Sequence, residues 1–316
     1  MSEDRDRRAD RRPWIRFGPK SVEAAMKAAP AGPVKLGALP FRAKLGLAWV
    51  VLVIVIAIFA HWLSPHDPYA VGLTDYMSGP NWPDHIMGSD EVARDIFSRV
   101  IHGSRMSALV AVITPLCALI LGGTIGMVAA STAPNRRRRW INDVLMRLMD
   151  IQFAFPAVVL AVVVASALGQ SLWTLLLVLT VVYTPIMARY IRAAVLDQLA
   201  EDYVAALRAM GSSQLRILLR HVSLNIATPL LVFFTLVAAD AVILEASISF
   251  LGAGLPPPTP TWGNLIRDGA QFVYAGTWWY TTFPGVAIFF TVLALNTIAE
   301  SMADRLGGRR HLLGQS

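Results

Sequence analysis

The sequence predicts an all-α membrane protein with six transmembrane helices and both termini in the cytoplasm. Three observations carry this. The 316 residues are 55% hydrophobic and 16% charged, with a mean hydropathy of +0.52, too apolar for an ordinary water-soluble domain. The charges are also clustered. Leu45–Leu63, Met106–Ala130, Ile151–Ala188, Val222–Ala239 and Gly269–Ala299 run for 19, 25, 38, 18 and 31 residues without Asp, Glu, Lys or Arg. A helix needs about 20 apolar residues to cross the hydrocarbon core, so the longest window holds two spans, hinged at Gly169-Gln170-Ser171. Finally, 24 of the 28 Lys and Arg lie in the N-terminal segment, the Arg136–Arg147 and Arg189–Arg220 loops and the tail. The alternate loops hold four, Arg94, Arg99, Arg105 and Arg267. Excess Lys and Arg marks the cytoplasmic side.

In chain order, residues 1–43 are charged, carry alanine and proline, and lack an apolar stretch before Leu45. They read as a cytoplasmic extension, partly disordered, with an interfacial helix around Lys20–Ala29, and not as a cleaved signal. Span one, 44–64, is stopped by Pro65 and Pro68, since proline cannot continue a helix. Residues 65–105 form an external loop, in which Met87–Arg99 reads as a turn into a short amphipathic helix. Ser89 or Asp90 would cap it, and Ile96, Phe97, Val100 and Ile101 would form its apolar face. The transmembrane core occupies 106–300. In span two, 106–130, Gly122, Gly123 and Gly126 permit close helix contact, and the single cysteine, Cys117, reads as a packing residue. Arg136–Arg139 then anchors the chain at the lipid head groups. Spans three (148–168) and four (172–191) contain Pro156 and Pro185, kinks that a bundle tolerates because neighbours satisfy the freed backbone groups. Span five runs over 222–246, span six over 279–300, and a cytoplasmic tail over 301–316.

Several chemistries are excluded. No GxxxxGK[ST] phosphate loop, HExxH, CxxC or GxSxG occurs, and the six histidines are dispersed along the chain. The chain therefore reads as no enzyme, with no cofactor or metal of its own. Its net charge of +7 reflects membrane orientation, because no basic stripe is interleaved with exposed aromatics as nucleic-acid binding would need. The non-protein partner is membrane lipid.

The segment 198–221 is a polar amphipathic interruption between two apolar spans. Tyr203, Ala206, Leu207 and Met210 fall at i, i+3, i+4 and i+7, one stripe of a helix of about three turns. Gly211 breaks that helix, and Ser212 or Ser213 starts the next. Two acids lie within the following span. At about 1.5 Å per residue, Asp240 sits roughly 28 Å and Glu245 roughly 35 Å beyond His221. Ionisable groups in a span are functional by default. Asp240 reads as facing a pathway or partner subunit, and Glu245 as pinning the outer proline loop.

Three blocks carry a family resemblance. The first is Asp202, Tyr203, Val204, Ala206, Leu207, Arg208, Ala209, Gly211, Ser213, Arg216, Ile217, Arg220, His221, Asn225 and Pro229. It resembles the EAA-type coupling loop of permeases from dipeptide, oligopeptide and nickel ATP-binding cassette (ABC) importers. The second is Gly88-Ser89-Asp90, Arg94-Asp95, Ser98-Arg99 and Gly103-Ser104-Arg105, and the third runs from Glu245 through Ser249-Phe250-Leu251-Gly252 to Trp262-Gly263. Both resemble blocks of the same family, and the order points to its C-type subunit. Departures stand at Ala93, where the pattern has glycine, and at Ala205, Leu207 and Leu224.

This resemblance implies the MetI-like type I importer fold and a peptide substrate. It implies a homologous B-type membrane subunit, two ATP-binding subunits that hold the ATP and Mg at the cytoplasmic face, and an external substrate-binding protein. Asp202, Tyr203, Ala206, Leu207, Met210, Gly211 and Arg216 would dock the ATPase, with His221, Asn225 and Pro229 closing the loop. Asp90, Arg94, Asp95, Arg99 and Arg105 would shape the external loop. The rival readings are an ion-gradient-driven secondary transporter and a non-transporting assembly protein. Secondary transporters often show more spans and visible repeats, and neither rival needs the 198–221 segment to meet an ATPase.

Overall fold

A computed structural model describes residues 40–313, with side chains described through Asp304. The expected extension and its helix at Lys20–Ala29 lie outside the described residues. Helix α1 (Phe41–Leu63) ends at Ser64, ahead of Pro65. Helix α2 (Ile96–Thr132) is followed by α3 (Arg139–Phe153), α4 (Ala157–Leu168) and α5 (Leu172–Leu199). A short α6 (Asp202–Ala209) leads to α7 (Gln214–Phe250), which contains a π-helical turn at Ile217–Val222. Helices α8 (Trp262–Ala270) and α9 (Trp279–Leu313) complete the chain.

Five of these helices, α1, α2, α5, α7 and α9, are long and apolar enough to cross a membrane. No single helix covers the span expected over 148–168; the pair α3 and α4, bent by 85° at a break of a few residues, makes a sixth crossing if the two count as one span. Pro156 explains the break, because it supplies no N–H and drives the residue before it out of helical geometry. Pro185, by contrast, is carried inside α5. The hinge at Gly169-Gln170-Ser171 is present: Gly169 has φ +84°, and Ser171 Oγ accepts the Thr174 N–H at the start of α5.

The short amphipathic helix expected in the 65–105 loop is not a separate element. It is the first turns of α2, a continuous helix of 37 residues. The cap is Asp95, which accepts the Ser98 N–H at 2.8 Å, in place of Ser89 or Asp90. Pro115 is carried inside the helix without a break, so its amphipathic start and apolar body fuse.

The α2–α5 pair is the axis of the bundle. A Cβ on Gly122 would meet Thr184 O at 2.7 Å, and one on Gly126 would meet Ala188 O at 2.5 Å. Backbone therefore touches backbone. That contact supplies dispersion where lipid leaves apolar surface no reason to associate. Buried Leu179, Met187, Ile191 and Val195 of α5 extend the contact to Ile217, Val222 and Ile226 of α7. Tyr190 and Phe233 stack at 4.0 Å between the same helices. Helix α1 lies against α9, where Trp49 donates to Thr291 Oγ1 at 3.2 Å, and its other face presents apolar side chains such as Ile58.

Candidate coupling loop and membrane cavity

Helix α6 begins with Asp202 and has Arg208 in its last turn, each favourable to the helix dipole. The expected stripe splits. Val204, fully buried, anchors the helix on the bundle, with Tyr203 and Leu207 half-buried beside it. Tyr203 also donates to Gln198 Oε1 at 2.9 Å. Ala206 and Met210 remain exposed. The reason is that Val204 centres the buried arc on itself and Leu207, while Met210 lies one residue past the helix end.

Gly211 closes α6 with a Schellman turn. Its φ is +79°, its N–H reaches Arg208 O, and the Ser212 N–H reaches Leu207 O, both at 3.0 Å. A Cβ there would meet nothing within 4 Å, so the requirement for glycine is purely one of backbone conformation. Ser213 caps the next turn through the Arg216 N–H. Beyond it, Ile217, Leu218 and Val222 are buried, whereas Leu215, Leu219 and Arg216 face out. Among the described residues Met210, which is 73% exposed, Leu215 and Leu219 leave large apolar side chains exposed on either side of Gly211. His221 and Asn225 are half-buried, and Pro229 is buried, its carbonyl accepting the Tyr190 hydroxyl at 3.0 Å. Of the departures from the family pattern, Ala205 and Leu224 are exposed and leave this packing untouched.

A cavity of about 530 Å³ lies between the bent α3–α4 pair, α5 and α7. Phe155 and Pro156 from the break, Pro185 from α5 and Ile243 from α7 supply apolar wall. The polar groups are Gln152, Tyr183, Asp240 and Ser247. Asp240 is exposed to this space, and its Oδ2 accepts the Tyr183 hydroxyl at 2.9 Å. Sequence reasoning missed Tyr183 because a tyrosine in an apolar span gives no signal until its partner is known.

Glu245, one turn further along α7, is fully buried. Its one side-chain hydrogen bond comes from Ser249 Oγ, at 2.8 Å, on its own helix. Its Oε2 has no hydrogen-bond partner among the described residues. This corrects the expectation that Glu245 pins the proline loop. Ser249 is the residue that meets that loop, packing against Gly254 and Gly263.

The predicted residues of the 65–105 loop form two clusters and one clamp. Buried Asp90 accepts the Val92 and Arg94 N–H groups on Oδ1 and Arg94 Nε on Oδ2 at 2.6 Å, with Arg99 Nε 3.5 Å away. Asp95 receives Ser98 and His85. Arg105 donates to Ala57 O at 2.9 Å, tying α2 to α1. Sequence reasoning treated the histidines as dispersed, yet His61, His66 and His102 line a second cavity here and His66 stacks on His85. Only the fold brings them together.

Residues 122–311 match the model of the binding-protein-dependent transport system inner membrane component family, and residues 42–81 match the N-terminal transmembrane domain of oligopeptide transport permease C. The chain belongs to this family. It is thus a multi-pass permease of the bacterial inner membrane. A putative peptide transport system permease of Brucella abortus is 36% identical over 271 residues, 86% of this permease and 89% of that protein. The dipeptide permease DppC of Escherichia coli is 36% identical, covering 84% and 88%. A di/tripeptide permease of Pseudomonas aeruginosa is 35% identical, covering 83% and 86%. Among solved structures, the MetNI methionine ABC transporter in an inward-facing form aligns with TM-score 0.55 and 18% identity, over 66% of this permease and 96% of that chain. The fold is thus that of an ABC-importer permease.

Proposed function

We propose that this permease moves di- and oligopeptides across the membrane. It does so beside a homologous B-type subunit, with two ATP-binding subunits at the cytoplasmic face and a substrate-binding protein outside. The observation that carries the reading is the α6–Gly211 element. It combines a helix anchored by Val204, a glycine-dependent reversal and exposed apolar side chains at Met210, Leu215 and Leu219. Large apolar side chains left in water mark a surface for a partner, and the rigid seat of this element transmits a push into α7. ATP-driven closure of the docked subunits moves these loops, and the bundle alternates its access. The cavity around Asp240 supports a pathway role, since an exposed carboxylate in a spanning helix must face water or a partner and not lipid. The peptide substrate is supported by the relatives at 35–36% identity, all of them described as peptide permeases.

Gly211→Val tests the reading. Forcing a β-branched residue to φ +79° costs about 1–2 kcal/mol locally, while the spans keep their packing. Membrane levels stay normal, ATPase co-purification weakens and uptake is lost. If the variant keeps both ATPase association and uptake at wild-type levels, this element is a plain connector.

A further inference from the structure

Four of the chain's six histidines, His61, His66, His85 and His102, lie where α1 runs into α2. Two of them meet an acid. His85 Nδ1 is 3.0 Å from Asp95 Oδ1, and His66 Nδ1 is 3.7 Å from Asp95 Oδ2. One donor atom from each of the three residues lies within 4.8 Å of the other two. A tetrahedral zinc ion with bonds near 2.0–2.1 Å has ligand–ligand edges of about 3.3 Å, and the two histidine–carboxylate separations, each to a different oxygen of Asp95, are of that size.

The surroundings are built for such an ion. Asp95 is fully buried, and among the described residues its only ion-pair partners are the two histidines. Arg99, the nearest guanidinium along the helix, is engaged by Asp90 and by Pro68 O. Ser98 organises the cluster. Its N–H and Oγ both donate to Asp95 Oδ2, at 2.8 and 2.6 Å, and its Oγ accepts the His66 N–H at 3.2 Å. Hydrogen bonds of this kind aim metal ligands. His66 Nδ1 is buried and has no hydrogen-bond partner among the described residues. His66 also borders a cavity of about 440 Å³, which gives an entry path.

We propose that His66, His85 and Asp95 bind one divalent zinc-class cation, with a fourth position open toward that cavity. Two neutral imidazoles and one carboxylate suit Zn²⁺ and discriminate against Mg²⁺ and Ca²⁺, which demand oxygen ligands. The bound ion ties together the start of the 65–95 loop, its middle and the head of α2. This inference stands apart from the transport reading, because it concerns a staple and not the pathway.

The test uses the assembled, tag-free transporter in detergent, stripped with chelator and then titrated with Zn²⁺ or with Co²⁺ as a visible probe. One equivalent of Zn²⁺ per copy of this chain is expected, along with a tetrahedral Co²⁺ spectrum. His66→Gln, which leaves the His85–Asp95 contact in place, should abolish both. Ser98→Ala should weaken binding about tenfold or more, and the double variant His61→Gln/His102→Gln should bind as wild type. The absence of stoichiometric zinc overturns the proposal. So does retention of the bound ion in His66→Gln, or its loss in the His61/His102 variant, because either result puts the ligands elsewhere.

Discussion

The indole of Trp262 lies over Gly103: a Cβ on that glycine would sit 2.9 Å from the ring, and Nε1 donates to Val100 O at 3.0 Å. One contact thus locks the α8 loop onto the first turns of α2, joining two of the blocks that carry the family resemblance. Trp262 is 2% exposed, so its removal leaves a large hole. Trp262→Ala should destabilise the protein by about 3–5 kcal/mol, read as a lower melting temperature of the purified permease. Gly103→Leu should lower the yield of folded protein. A wild-type melting temperature in both variants means this contact is dispensable.

Ala93 has φ +59° at the position where the family pattern carries glycine. An L-residue pays roughly 1–2 kcal/mol in that region, partly offset by glycine's larger entropy loss on folding. Ala93→Gly should therefore stabilise the permease, by about 1 kcal/mol at most. The check is thermal unfolding of the two proteins side by side, where a lower melting temperature for the glycine variant contradicts the strained backbone.

Asp240 should matter through its charge. Asp240→Asn keeps an acceptor for Tyr183, so membrane levels should hold while uptake falls on the order of tenfold, equivalent to about 1.4 kcal/mol. Tyr183→Phe removes one hydrogen bond, about 1 kcal/mol, and should reduce uptake less. Wild-type uptake by Asp240→Leu would show that the carboxylate faces neither pathway nor partner.

Orientation is accessible to labelling. In a Cys117→Ala background, a cysteine at exposed Tyr76 should react with an impermeant maleimide on intact cells, and one at exposed Asn135 only after permeabilisation. The reverse pattern would place α6 and Gly211 outside and remove the coupling proposal.

What the sequence by itself determined follows from local physics. Charge-free windows mark the apolar bodies of α1, α2, α5, α7 and α9, because charge enters hydrocarbon only at high cost. Gly169, Ser171 and Gly211 announce their turns, because backbone conformation and capping depend on the residue in place. Tertiary structure alone decided the rest. The α2 helix absorbed the expected loop helix and runs on through Pro115, and Pro156 became an 85° break where Pro115 and Pro185 did not. Tyr183 found Asp240 across 57 residues, Glu245 turned to Ser249, and four scattered histidines met at one end of the bundle. The Tyr183–Asp240 and histidine contacts join distant segments and are set by how helices pack, whereas Glu245–Ser249 is an i,i+4 pair on one helix, left to each other because the fold offers Glu245 no partner from elsewhere among the described residues.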